Sequence, residues 1–192
     1  MLDGSTKKGL ARATQVAEDI IDARWADLGE TVNGWRYNTA GGRAGRDFAL
    51  RAALAKYQLG DQLAVEVLYP PTSVDADGRP LEGSNRYTLR FPAGEQPPVS
   101  QFWNLGLYDS DMLFIENDLG RYTIGSTTDG LTSDPDGSLT LYLQHDRPDN
   151  ESAVANWLPA PNGPFNLVMR FYGPSTFILD GTYRLPPITI DS

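Results

Sequence analysis

The chain has a single histidine, His145, in the run Gln144-His145-Asp146, so an imidazole stands beside a carboxylate. Such a pair can act as a base whose tautomer the acid holds. Neighbours on an extended strand point to opposite faces, which places Asp146 badly for orienting His145 if the preceding strand continues. The spacing therefore favours a strand-end histidine with a structural or solvent-facing role. A Ser-His-Asp triad stays open, but no Gly-x-Ser-x-Gly elbow presents a nucleophile. One histidine and no cysteine cannot furnish a histidine- or thiolate-based zinc site. No metal and no cofactor is expected.

The acidic runs invite other chemistry. Asp75-Ala76-Asp77-Gly78 and Asp134-Pro135-Asp136-Gly137 resemble the start of a calcium loop, yet neither supplies the later oxygens and closing Glu that such a loop needs. Asp-Gly is what tight turns select, because Gly accepts positive φ. Asp109-Ser110-Asp111 reads as a hairpin connection on the same grounds. A carboxylate pair for glycoside hydrolysis would come from Asp109, Asp111, Glu116 and Asp118 or from across a sheet, and nothing in the spacing selects one. The run Ala40-Gly41-Gly42-Arg43-Ala44-Gly45 is no phosphate loop, since no strand precedes it and no Gly-Lys-Ser/Thr follows.

The most suggestive set is aromatic and cationic: Trp103, Tyr108, Arg121, Tyr122, Asn156, Trp157, Arg170 and Tyr172, with His145 added as a polar group. Aromatic faces stack on sugar rings, while Arg and Asn hydrogen-bond hydroxyls or carboxylates, so together these could line one polar-aromatic pocket. Each also has a structural reading. Tyr and Trp fill β cores, an inward Arg can satisfy carbonyls, and Asn156 can cap a turn. Arg121 and Arg170 are the strongest members, since an Arg within a sheet is costly without a partner.

These residues must be positioned by something. Leu10, Ala13, Ala17, Ile20, Ile21 and Leu28 recur at helical spacing, predicting a helix over about 7–28. It would serve as a dimerisation element or as a lid on the core. Asp47 is a good N-cap for a second helix ending near Gly60. From residue 63 the period changes to two: Leu63, Val65, Val67 and Tyr69 alternate with other residues, and so do Tyr87, Leu89 and Phe91. Further strands are predicted over 102–108, 112–116, 121–124, 138–144, 166–172 and 182–185, parted by turn signals such as Pro97-Pro98, Asp129-Gly130 and Asp180-Gly181.

Composition agrees. A chain of 192 residues with 14 Pro and 19 Gly fits one turn-rich unit with a sizeable core. A net charge of −9 argues against nucleic acid and against anionic lipid as partners. No apolar run has the roughly 20 residues of a membrane helix, and no secretory signal follows Met1-Leu2-Asp3-Gly4-Ser5. Without cysteines the compartment stays open: a soluble protein of the cytoplasm, or of the periplasm if a signal or anchor precedes this sequence.

A series of words runs through the second half. Arg86-Tyr87-Thr88-Leu89-Arg90-Phe91-Pro92, Phe102-Trp103-Asn104-Leu105, Gly120-Arg121-Tyr122-Thr123-Ile124-Gly125, Asn156-Trp157-Leu158-Pro159-Ala160-Pro161, Arg170-Phe171-Tyr172 and Leu179-Asp180-Gly181-Thr182-Tyr183 occur in that order. In order and spacing they resemble the domain-of-unknown-function family 1214, bacterial proteins often found behind a companion domain, number 1254. Asn33-Gly34-Trp35 and Phe48-Ala49-Leu50-Arg51-Ala52 look like that family's upstream helical region, so the resemblance covers roughly residues 30 to 190. The sequence departs from the family pattern at Ser126-Thr127, where the pattern has an Asp-Arg pair, and it carries no companion domain, as a stand-alone version would. The resemblance implies a β-sandwich with N-terminal helices and brings no established activity.

The expected architecture is mainly β: an antiparallel, jelly-roll-like β-sandwich over residues 63–192, with two N-terminal helices in a lead-in over residues 1–62 packed on it as one structural unit. Three functions fit: a non-catalytic binding module for a small polar or glycan-like ligand, a hydrolase or lyase on a polar substrate, or a protein-interaction domain, homo-oligomers included. The first requires Trp103, Trp157, Arg121 and Arg170 to converge on one open cleft.

Overall fold

Asp3 starts the first helix by accepting the amide of Thr6 at 2.8 Å, one of the donors a helix N-terminus leaves unpaired. In the computed structural model, which describes residues 2–191, this helix α1 spans Gly4–Ala26. A hairpin comes next, β1 (Glu30–Val32) and β2 (Trp35–Tyr37), then α2 (Phe48–Tyr57). After these come β3 (Val67–Leu68), β4 (Pro71–Thr72), β5 (Tyr87–Phe91), β6 (Val99–Tyr108), β7 (Thr123–Gly125) and β8 (Leu139–Gln144). The chain closes with α3 (Glu151–Ala155), β9 (Trp157–Pro159), β10 (Asn166–Pro174), α4 (Thr176–Leu179) and β11 (Thr189–Ile190).

The protein is mainly β, with two larger sheets. One runs β3-β10-β6-β7, with β4 also on β10, and the other runs β11-β5-β8-β9. All pairs are antiparallel except β8–β9, whose connection through α3 lets the two strands run parallel. Alternation fills the core. Trp103, Leu105 and Leu107 of β6 and Leu167, Met169 and Phe171 of β10 join Leu89 and Phe91 of β5 and Leu139, Leu141 and Leu143 of β8 in one buried cluster. The intervening residues of β6 and β10, notably Asn104, Gly106, Tyr108, Arg170 and Tyr172, therefore lie on the other face of their sheet.

The 30–37 hairpin, which hydrophobic periodicity misses, turns on Asn33 and Gly34, both at positive φ (53° and 83°), as a two-residue hairpin loop requires. It docks through Trp35, fully buried, whose indole N–H donates to the Pro186 carbonyl at 2.8 Å. Tyr37 accepts the Leu185 amide at 2.9 Å. Its phenol, buried beside that contact, has its pKa pushed up to about 12.

Several predicted strands take other forms. Residues 63–66 turn instead of extending, because the amides of Glu66 and Val67 both donate to the Leu63 carbonyl, and only Val67–Leu68 pairs. Residues 112–116 make no strand, since Asp109 Oδ1 captures the amides of Asp111 and Leu113, and Met112 sits at φ 61°. Asp109-Ser110-Asp111 thus opens a long excursion, residues 109–122, in place of a tight hairpin. Residues 182–185 wrap back on α4 through the Tyr183 amide on the Phe177 carbonyl, while Thr189–Ile190 pair with β5. The acidic runs do form turns: Asp75 accepts the amides of Asp77 and Arg79.

The helices form a separate small cluster, Leu28, Leu50 and Leu54 with Trp25 and Ala44 against them. Trp25 stacks on Tyr57 with ring centroids 5.0 Å apart. Asp22 Oδ1 takes both Lys56 Nζ at 2.5 Å and the Tyr57 hydroxyl at 2.6 Å. N-terminal to this, α1 has no buried residue, and Leu10, Val16 and Ile20 stand exposed.

Candidate functional site

Eight of the nine candidate residues divide among three places. Trp103 belongs to the core, tilted against Phe91 with centroids 5.3 Å apart. Tyr108, Arg170 and Tyr172 line a cleft on the outer face of the β10–β6 sheet. His145 and Trp157 line a second cleft, and Arg121 and Asn156 form the frame of that one. The ninth, Tyr122, lines neither cleft and packs against Phe114 with ring centroids 5.3 Å apart. Trp103, Trp157, Arg121 and Arg170 do not converge.

The first cleft has a volume of about 470 Å³ and lies between the end of α2 and β10, walled on one side by residues 111–113. Arg170 is opposite Asn104 and Val168 is opposite Gly106 in the register of β10 on β6. Gly106 offers no side chain, so the Arg170 guanidinium lies over it and reaches Tyr108, donating from Nη2 to the phenol oxygen. Its Nη1 contacts Asn104 Oδ1 at 3.5 Å, at the limit of a hydrogen bond. The guanidinium carbon stands 5.5 Å from the Tyr108 ring centroid, and that ring stacks on Phe114 at 4.7 Å, giving a cation–ring–ring ladder. Tyr172 is stacked on Phe102 at 4.1 Å, which orients its hydroxyl edge.

Among the described residues no carboxylate pairs with Arg170, and the six ion pairs lie elsewhere, as between Lys56 and Asp22 or Arg184 and Glu30. Tyr57, Tyr69 and Asp61 also line this cleft, as does Lys56, which is paired with Asp22. Burial pushes the Tyr69 phenol up, with Tyr172 and Asp61 adding to the effect and Arg170 opposing it. Burial also raises the Asp61 carboxyl, against the hydrogen bond that Oδ1 accepts from Gln58 at 3.0 Å. Sequence reasoning missed Tyr57, Asp61 and Tyr69. They sit outside any strand, at the end of α2 and in the irregular segments on either side of β3, and only the tertiary fold brings them into one cleft with Arg170.

The second cleft, of about 550 Å³, lies between the end of β8, the segment 157–162 and residues 115–119. Trp157 is pinned by its indole N–H on the Gln144 carbonyl at 2.8 Å. Arg121 Nη1 faces the carbonyls of Val154, Ala155 and Trp157 at 3.1, 3.1 and 2.7 Å. Asn156 is buried, donating to the carbonyls of Thr132 and Thr140 and accepting the Thr132 amide. Both side chains therefore serve main-chain groups. His145 Nδ1 stands 3.1 Å from the Ala160 carbonyl, so this partner, not Asp146, sets its orientation.

Among the described residues no group of three His, Asp or Glu side chains could hold a metal ion, and no helix is long and apolar enough to cross a membrane. The fold and the ordered words of the second half define a β-rich domain of a recognisable kind. The chain belongs to the family described as protein of unknown function (DUF1214), which it matches over residues 66–176, spanning β3 to β10 and both clefts' sheet residues. It is similar to the VPA0106 protein from Vibrio parahaemolyticus, whose crystal structure superposes with a TM-score of 0.62 at 30% identity. That match covers 97% of this chain and 43% of the other, so the chain spans less than half the length of its relative. An uncharacterised protein from Burkholderia cenocepacia is similar at 16% identity, with a TM-score of 0.37 over 65% of this chain and 28% of the other. No protein of curated function matches the sequence.

Proposed function

We propose that the protein is a non-catalytic binding module for a small polar, glycan-like ligand, carried on a jelly-roll-like sandwich of the two sheets and seated in the cleft between α2 and β10. In this reading residues 63–192 carry the ligand-binding sheets, and residues 1–62 supply α2 as the far wall. One observation carries it: the Arg170 guanidinium, half-buried in a cleft of tyrosines, has only the neutral Tyr108 and Asn104 as partners. A guanidinium has five N–H donors, and two neutral contacts leave donors to spare. The hydroxyls of Tyr69 and Tyr172 likewise have no protein partner among the described hydrogen bonds. Such an alternation of donors, acceptors and ring edges suits a hydroxylated or carboxylated ring.

The test is thermal unfolding against a panel of neutral sugars, uronic acids and simple carboxylates, with Arg170→Ala in parallel. A ligand at a hundredfold excess over its dissociation constant stabilises the native state by about 2.7 kcal/mol. The expected result is an upward shift with one ligand class, absent in the variant. A panel without any shift, or a shift that survives Arg170→Ala, overturns the proposal. Arg170, and not Arg121, is the residue to vary, because removing Arg121 strands three carbonyls and perturbs folding.

A second reading, a hydrolase or lyase, is favoured by Asp61, a cleft carboxyl raised by burial. It predicts that the ligand found in the panel is consumed during incubation, and that Asp61→Asn stops the turnover while still binding.

A further inference from the structure

We infer that the cleft beside His145 is a second binding site, taking a neutral ring compound that carries a hydroxyl group. It is walled by Ile115, Leu119, Trp157, Pro159 and Pro161, and its volume of about 550 Å³ suits a molecule of one or two rings. The wall is set before any ligand arrives. Trp157 is held by Gln144, Arg121 ties down the 154–157 main chain, and Pro159 and Pro161 stiffen the segment beyond it.

His145 gives the site its polarity. A carbonyl oxygen only accepts, so the nitrogen facing Ala160, Nδ1, carries the hydrogen. In the neutral ring Nε2 is then left with a lone pair, and no protein group among the described hydrogen bonds donates to it. It is open to solvent and can accept from a ligand hydroxyl in place of water. Charge excludes anions. Glu116, Asp118 and Asp146 stand exposed around the cleft, while the one cation of the lining, Arg147, is committed to Glu151 at 2.8 Å. A charged body would also lose water against Ile115, Leu119 and Trp157 without a buried partner. The tyrosine cleft, with its unpaired guanidinium, has the opposite preference, so the two sites select different molecules.

The experiment is saturation-transfer NMR and titration with three probes of one shape: 2-naphthol, its methyl ether, and 2-naphthoate. Naphthol is expected to bind, the ether to bind about tenfold more weakly for want of one hydrogen bond, and naphthoate not to bind. His145→Asn keeps an amide near the Nδ1 position but removes the Nε2 acceptor, and should cost naphthol about the same factor. His145→Gln reaches the Nε2 position and should restore most of it. Leu119→Trp narrows the cleft and should abolish binding. His145 and Leu119 are exposed, so the variants fold. Equal binding of naphthol and its ether, undiminished binding to His145→Asn or Leu119→Trp, or no binding of naphthol at all overturns the inference.

Discussion

The guanidinium of Arg170 lies where a side chain on Gly106 would be: a Cβ at Gly106 would stand 2.7 Å from Nη1. Gly106 faces Val168 across the β6–β10 ladder, and the space it leaves lets Arg170 reach diagonally to Tyr108. Gly106→Ala should therefore push the guanidinium off the tyrosine. The expected cost is less than about 1 kcal/mol, as for Arg170→Ala, because the atoms displaced are the far ends of the Arg170 and Tyr108 side chains at a cleft open to water. Denaturant unfolding measures it, and in the binding assay the variant should behave as Arg170→Ala does.

The two arginines that the sequence could not tell apart should separate in stability. Arg121→Ala leaves the carbonyls of Val154, Ala155 and Trp157 without their donor, at about 1–3 kcal/mol or more. Arg170→Ala removes neutral contacts at a cleft open to water and should cost less than about 1 kcal/mol. Urea midpoints of the two variants at constant slope decide the matter. An equal loss in both would mean that Arg170 is a structural residue.

Asn156→Ala should be among the most damaging single changes. Its side chain joins Thr132 to Thr140 through a donated and accepted set of bonds, in full burial. Truncation leaves at least two main-chain groups unpaired, about 2–4 kcal/mol by the usual desolvation cost. A midpoint within experimental error of the parent would contradict this account.

Asp61 gives a pH signature with a definite sign. Burial holds its folded pKa above the ordinary 3.8, so the folded state binds the proton more tightly than the unfolded chain. Its favourable contribution is therefore present at acid pH and is lost as pH rises through the folded value. The difference in stability between Asp61→Asn and the parent should move in favour of the variant as pH increases from about 4 to 7. Taking the difference cancels Asp22, Asp47, Asp136 and Asp180, whose lowered pKa values act in the opposite direction. A difference independent of pH would rule out a raised Asp61.

Helix α1 should exchange its amides unevenly. Residues 4–20 have no buried side chain to hold them, and a helix unsupported by packing is marginal at that length. Residues 21–26, next to Leu28 and stacked through Trp25 on Tyr57, are anchored. Hydrogen exchange by mass spectrometry should find rapid exchange in the first segment and protection in the second. Uniform protection would indicate that another surface covers α1 in solution.

Periodicity alone was enough for the long strands and the two long helices. Tyr87-Thr88-Leu89-Arg90-Phe91 alternates because one face is core, and Asp47 announces α2 because helix starts select a side-chain acceptor. The ordered words of the second half were likewise enough to place the chain in its family. What local pattern could not decide is which side-chain acceptor outcompetes a ladder, as Asp109 does over 109–113, or where a proline-rich run such as Trp157-Leu158-Pro159 finds a strand to lie against. Nor could it separate Arg121 from Arg170. Both are arginines among aromatics on the chain, and only the packing of distant segments put three carbonyls around the first and a tyrosine-lined cleft around the second. A site of this kind gathers residues more than a hundred positions apart, such as Tyr57 and Arg170, and they line one cleft only once the chain has folded.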